Sequence, residues 1–269
     1  MAYGVARRIH LLAIGCSLSC LWGCASGNLP STLAPLRSPP SPYAAPLGPI
    51  RAIVIDSGHG GRDPGTSHFG LKEKHLALDI AKRLRAYLTD AGFSVMMTRE
   101  TDRFIPLSGR PAIANRVGAD LFISVHINAN PNRGVSGVEV YYPRESVVSS
   151  SAQWPPSVSP ADIGIPSMIV KQMLWDLVLG RTRFKSRRLA STLCHAMRDG
   201  VPVPCRGTKP ARFVVLREAW MPAVLVETGY VTNRSEARRL GSAEYRDAIA
   251  KSIATGIIWY AREAGTEHL

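Results

Sequence analysis

Four ionisable side chains in this 269-residue chain stand where a fold can gather them. The apolar run 53–55 passes through Asp56 into Ser57-Gly58-His59, the run 121–125 leads to His126, and the run 224–226 leads to Glu227. Glu73 opens a helical pattern, close enough in sequence to fold back over His59. In open α/β sheets ligands bind at the carboxyl ends of the strands, so parallel neighbours would deliver two imidazoles and a carboxylate to one rim. Two His and one Glu with an open fourth position make a catalytic zinc arrangement. The cation would bring the pKa of a water in that position toward neutrality and polarise a substrate carbonyl. A second carboxylate, not bound to the ion, must then take the water's proton and hand it to a departing amine. Glu227 is the best placed for that role.

Taken singly, a His in a glycine-rich turn or at the end of a buried strand is more often a satisfied structural residue than a ligand. The metal reading of His59 and His126 therefore rests on their occurring together, with acids at matching places. His10 and His268 lie near the termini, and His68 and His195 have no acidic partner on a strand end. His75 competes with more force, but it follows Glu73 by two positions and on a helix would point to another side. Gly58, Gly60, Gly61 and Gly65 form a glycine-rich loop after a strand, yet no Gly-Lys-Ser/Thr follows, which excludes a phosphate cradle of the P-loop kind. The glycines read instead as allowing close backbone approach at the metal.

Positioning these groups requires strands and helices in alternation. Apolar, β-branched runs at 52–55, 93–96, 121–125, 138–141 and 223–226 predict strands, and three- and four-residue apolar spacing predicts helices over 74–91, 106–117, 167–179, 185–198 and 243–263. Continuous hydrophobic strands between helices predict a single α/β domain, a mostly parallel twisted sheet flanked by helices on both faces. Only 145–165, rich in Ser and Pro, breaks the rhythm and reads as a surface insertion. The domain is expected over 50–265.

The N-terminus differs in kind. Arg7 and Arg8 precede the apolar run 11–22, too short for a comfortable membrane span of about 20 residues, and residues 1–23 read as a cleavable export signal. Leu21-Trp22-Gly23-Cys24 resembles a bacterial lipoprotein box, which would make Cys24 the lipidated first residue of the mature chain; the alternative is a plain secretory signal. Residues 24–49, rich in Pro, Ser, Ala and Gly, read as a flexible tether. The place of action is then the periplasm or cell envelope. Cys194 and Cys205 can pair in an exported compartment or remain two buried thiols. A formal net charge of +13 favours anionic surfaces such as wall polymers or acidic lipid, and the export signal argues against nucleic acid.

The segment Ile55-Asp56-Ser57-Gly58-His59-Gly60-Gly61-Arg62-Asp63-Pro64-Gly65 resembles the opening motif of the zinc-dependent N-acetylmuramoyl-L-alanine amidases (amidase type 3) that act on bacterial cell wall. Three further blocks match in order. They are Glu73-Lys74, Ser124-Val125-His126-Ile127-Asn128-Ala129 and Met221-Pro222-Ala223-Val224-Leu225-Val226-Glu227-Thr228-Gly229-Tyr230, with Thr98-Arg99, Asp102, Leu107, Arg110, Asn115 and Ala119-Asp120 between. The resemblance covers about 50–263. It implies zinc on His59, Glu73 and His126, Glu227 as catalytic acid, and as substrate the peptidoglycan amide between N-acetylmuramic acid and the first L-alanine of the stem peptide. Arg99, Arg110 and Asn115 read as structural, and Asn128 either touches substrate or forms a turn. Some relatives carry an inserted helix that blocks the zinc until a protein activator withdraws it; residues 145–182 occupy a comparable position, from which Asp162 or Asp176 can approach the metal. Two other readings stay open, a zinc peptidase acting within the stem peptide and a non-catalytic wall-binding lipoprotein.

Overall fold

The computed structural model describes residues 50–144 and 168–266. Its centre is a six-stranded sheet of order β4-β1-β5-β8-β6-β7, formed by β1 (Ala52–Ser57), β4 (Ser94–Met97), β5 (Leu121–Asn128), β6 (Val138–Pro143), β7 (Cys205–Ala211) and β8 (Ala223–Tyr230). The four strands β4, β1, β5 and β8 run parallel. β6 lies antiparallel to β8 and carries β7 parallel to itself at the edge. A short hairpin, β2 (Ser67–His68) with β3 (Leu71–Lys72), leads into the first helix.

Both faces of the sheet are covered, as continuous apolar strands demand. One face packs Ile53, Ile55, Ile123, Val125, Val224 and Val226 against α1 (Glu73–Asp90), α3 (Met168–Gly200) and α6 (Ala243–Thr266). In α1 the buried stripe is Leu76, Ile80, Leu84 and Leu88, one turn apart. The other face packs Val54, Phe122, Ala223 and Leu225 against α2 (Gly109–Arg116) and the single turn α4 (Val214–Arg217). A further helix, α5 (Arg234–Gly241), is capped by Asn233, whose side chain accepts from the N–H groups of Ser235 and Glu236.

Several expectations need correction. The helices expected over 167–179 and 185–198 are one continuous helix, α3, because Gly180 and its neighbours carry no proline and a lone glycine lowers helix stability without ending the helix. His126 and Glu227 do not end their strands: β5 and β8 each continue beyond them, since the two are paired to one another and further residues extend the ladder. β7 gave no apolar signal. It is polar and contains Pro210, which an edge strand tolerates. The signal at 1–23 with Cys24, the tether at 24–49 and the insertion at 145–165 with Asp162 lie outside the described residues. Asp176 falls within α3, where only its backbone is described. Among the described residues no helix is long and apolar enough to cross a membrane.

Candidate metal centre and active site

The glycine-rich turn after β1 is held by buried cations. Arg110 donates to Asp56 Oδ1 at 2.9 Å, to the carbonyls of Ser57 and His59 at 2.8 Å each, and to that of Ile105 at 3.2 Å. Asp56, fully buried, also accepts from Thr98 Oγ1 and Ser124 Oγ. Arg99 donates to the carbonyls of Ser57, Gly58 and Lys74 at 3.0, 2.6 and 2.8 Å. These bonds fix three successive carbonyls and tie the start of α1 to the turn. They stabilise His59 at φ 57°, a left-handed conformation uncommon for any residue but glycine.

Glu73 is the hub. Its Oε1 lies 3.1 Å from His59 Nε2 and 2.9 Å from His126 Nδ1, and accepts the Ile127 N–H at 3.0 Å; Oε2 accepts the Thr66 N–H at 2.9 Å. As the first residue of α1 it also sits where a helix terminus favours a carboxylate. Burial works against its charge, but the imidazoles of His126 and His59 outweigh it and hold the carboxyl well below its ordinary pKa. The ring centroids of His59 and His126 are 5.0 Å apart with planes at 76°. Asp63 Oδ2 lies 2.8 Å from His59 Nδ1, the arrangement in which a carboxylate fixes a ligating imidazole's tautomer and aim. Burial opposes protonation of His59, while Glu73 and Asp63 favour it and the net effect raises its pKa.

Among the described residues, the His59, Glu73 and His126 ligand atoms all lie within 4.8 Å of one another. The donor set suits a divalent cation: two imidazoles and a carboxylate, all but Glu73 partly exposed, with no Lys or Arg among the described residues bonded to that carboxylate. Two glycines leave the room this convergence needs. A Cβ on Gly58 would stand 2.4 Å from His126 Cε1, and one on Gly65 would stand 2.5 Å from Glu73 Oε2 and 2.7 Å from His59 Cδ2.

Glu227 is the ladder partner of His126 on β8, and Glu139 on β6 is the partner of Glu227. The row His126, Glu227, Glu139 therefore crosses three neighbouring strands on one face. Glu227 keeps some exposure, but its Oε2 is enclosed without a hydrogen-bond partner. Burial, then the charges of Glu73 and Glu139, raise its pKa well above the ordinary carboxylate range. Glu139 is 2% exposed. It accepts from Lys209 Nζ and Tyr141 Oη at 2.6 Å each and from Arg206 Nε at 3.3 Å.

Asn128 ends β5 with its Oδ1 on the Ala129 N–H and its Nδ2 3.5 Å from Glu139, a turn-forming contact at the margin of the row. Asn115 caps the loop before β8 through the Glu218 carbonyl and the Trp220 N–H. Cys194 and Cys205 are disulfide-bonded with Cα atoms 5.6 Å apart, joining α3 to β7. His75 is exposed and faces Asp102 at 3.7 Å. Asp63, Glu139, Arg206 and Lys209 were not singled out from the sequence. Asp63 had a signal in its place four residues after His59, and Glu139 in being a charge inside the apolar run 138–141. Arg206 and Lys209 had none.

Residues 53–258 match the family described as N-acetylmuramoyl-L-alanine amidase. AmiA of Escherichia coli K12, an N-acetylmuramoyl-L-alanine amidase, is 37% identical over 228 residues, covering 81% of this chain and 79% of AmiA. AmiC of Neisseria meningitidis MC58 is 34% identical over 229 residues, covering 82% of this chain and 55% of AmiC. Among solved structures, the amidase AmiC2 of Nostoc punctiforme aligns with TM-score 0.61 at 35% identity, covering 78% of this chain and 96% of that one. The amidase of Clostridium difficile 630 aligns with TM-score 0.62 at 30% identity and the same coverage. With the match spanning the sheet and every group of the metal centre, the chain belongs to the type 3 N-acetylmuramoyl-L-alanine amidases, a family of peptidoglycan hydrolases.

Proposed function

We propose that the chain hydrolyses the amide between N-acetylmuramic acid and the first L-alanine of the stem peptide, with zinc held by His59, Glu73 and His126 and with Glu227 as general base and then general acid. The observation that carries this reading is the convergence of the three ligand atoms within 4.8 Å, with Glu227 one strand away from His126. His59, Glu73 and His126 would hold the zinc, and the chemistry it would supply there is Lewis acidity toward a carbonyl and toward water. Glu227 takes the water's proton at its carboxylate and delivers it to the departing amine nitrogen. The raised pKa of Glu227 favours the accepting half of that duty, because a stronger base takes the proton more readily. Asp63 keeps His59 Nε2 turned toward the centre. Arg99 and Arg110 hold the backbone that presents it.

The export signal at 1–23 and Cys24 support action in the cell envelope, on a lipid anchor, with a net charge of +11, once Arg7 and Arg8 leave with the signal, favouring the anionic wall. The test is digestion of purified peptidoglycan by the mature chain with zinc supplied or chelated, followed by mass analysis. Intact stem peptides beginning at L-alanine, released only with metal, are expected. Fragments cut inside the stem peptide, or no release with zinc present, would overturn the proposal.

A further inference from the structure

The row that carries the chemistry does not stop at Glu139. Beyond it, on the edge strand β7, Lys209 and Arg206 both reach the Glu139 carboxylate. The register there is irregular: Val138 pairs with Cys205 and Val140 with Thr208, so Arg206 and Gly207 together stand opposite Glu139. A bulge of this kind re-aims a side chain, and here it brings Arg206 onto the same carboxylate as Lys209. Glu139 is 2% exposed, while Lys209 and Arg206 are 47% and 42% exposed.

We propose that Lys209 and Arg206 form a carboxylate-binding subsite that seats an acidic peptide beside the reaction centre; this rests on the amidase reading above. A buried carboxylate is strongly unfavourable unless paired, and one cation would neutralise Glu139. Two are present, one more than Glu139 itself requires. Lysines that only guard an edge strand against pairing point into solvent and need no buried counter-ion. These two are instead pinned from below, so ordering them on a ligand loses less side-chain entropy. Each keeps donors beyond those bonds, since an ammonium has three N–H groups and a guanidinium five. Lys209 spends one on Glu139, and Arg206 bonds Glu139 and the Ser136 carbonyl.

The span is right for a short peptide. Neighbouring strands lie about 4.8 Å apart, so two steps from β8 to β7 cover roughly 10 Å. An extended peptide advances about 3.4 Å per residue, which places a carboxylate within about three residues of the scissile amide over the two cations. The ligand class is therefore a peptide bearing a free carboxylate close to the bond cut.

The experiment compares two soluble muropeptides, one with its stem carboxylates free and one with them converted to carboxamides, against the zinc-loaded wild type, Lys209→Gln, Arg206→Gln and Lys209→Arg. For the acidic substrate each Gln variant is expected to raise KM about tenfold, with kcat within about twofold, as loss of a charge-assisted bond implies. Lys209→Arg should restore KM. The amidated substrate should already show the raised KM with wild type and no further rise with the variants. Calorimetric titration with the free acidic stem peptide should show the same weakening without turnover. Equal KM for both substrates in the wild type, or Gln variants that change KM or kcat alike on both substrates, would overturn the subsite while leaving the amidase reading intact. A wild type that cuts neither substrate at this amide would overturn both.

Discussion

Replacing Glu227 with Gln separates chemistry from stability more cleanly than any other change in this molecule. The substitution keeps size and shape, and it touches none of the three ligand residues. Zinc content should therefore be unchanged. Loss of a positioned general base and acid lowers turnover by about 10²- to 10⁴-fold. The same change should stabilise the metal-free protein. Oε2 of Glu227 is enclosed without a partner, and Glu73 and Glu139 add repulsion to the burial. Replacing an unpaired buried charge by a neutral amide is worth about 1–3 kcal/mol, at roughly 2–4 °C of melting temperature per kcal/mol for a domain of this size. The sign of the pH dependence follows from the raised pKa. Between the ordinary value of 4.5 and the higher folded value, the folded chain holds a proton that the unfolded chain has released. Rising pH in that window therefore favours unfolding of the wild type. Scanning calorimetry on chelated protein should show no advantage for Glu227→Gln below about pH 4.5. The advantage should open as pH rises and level off above the folded pKa. A variant that retains wall hydrolysis within tenfold of wild type, or one that melts below wild type at pH 7, would refute this account of the residue.

Further outcomes follow from the same structure. Asp63→Ala removes the carboxylate behind His59 and should weaken zinc binding about 10- to 100-fold in a competition titration, with little change in far-UV circular dichroism. Arg110→Met strands the buried Asp56 carboxylate and frees the carbonyls of Ser57 and His59, so urea unfolding should show a loss of about 3–5 kcal/mol. Asp79 is held below its ordinary pKa because Arg246 and Arg83 outweigh the effect of burial; the stability it gives over Asp79→Asn should be present at neutral pH and fade as pH falls below 3.8 through the lower folded pKa. Deleting residues 146–164 tests whether the insertion limits access to the centre: wall hydrolysis should rise, and an unchanged rate would remove the idea.

The primary structure by itself determined the period of the main strands and helices and the residue types available to the candidate centre. Apolar runs of strand length between helical patterns left an α/β sheet as the consistent answer, because only covered faces can bury strands such as 52–57 and 121–128 on both sides. The residue types at 59, 73 and 126 made these positions candidates for a metal before any contact was known, since imidazoles and a carboxylate are side chains that can hold a divalent cation. What depends on contacts between distant segments was decided only by the tertiary structure. Glu73 gathers His59, His126 and the Ile127 N–H around one oxygen, a convergence that no local pattern encodes. Arg99 and Arg110 read as structural from the sequence, but that their buried guanidiniums hold the carbonyls of the turn was decided by the fold. β7 shows the limit most clearly. Its polar, proline-containing sequence has no strand period, and it is a strand because β6 offers it an unpaired edge. Arg206 and Lys209 acquire a place beside the reaction centre through that pairing alone, because ladder register is a property of two segments together and neither segment carries it alone.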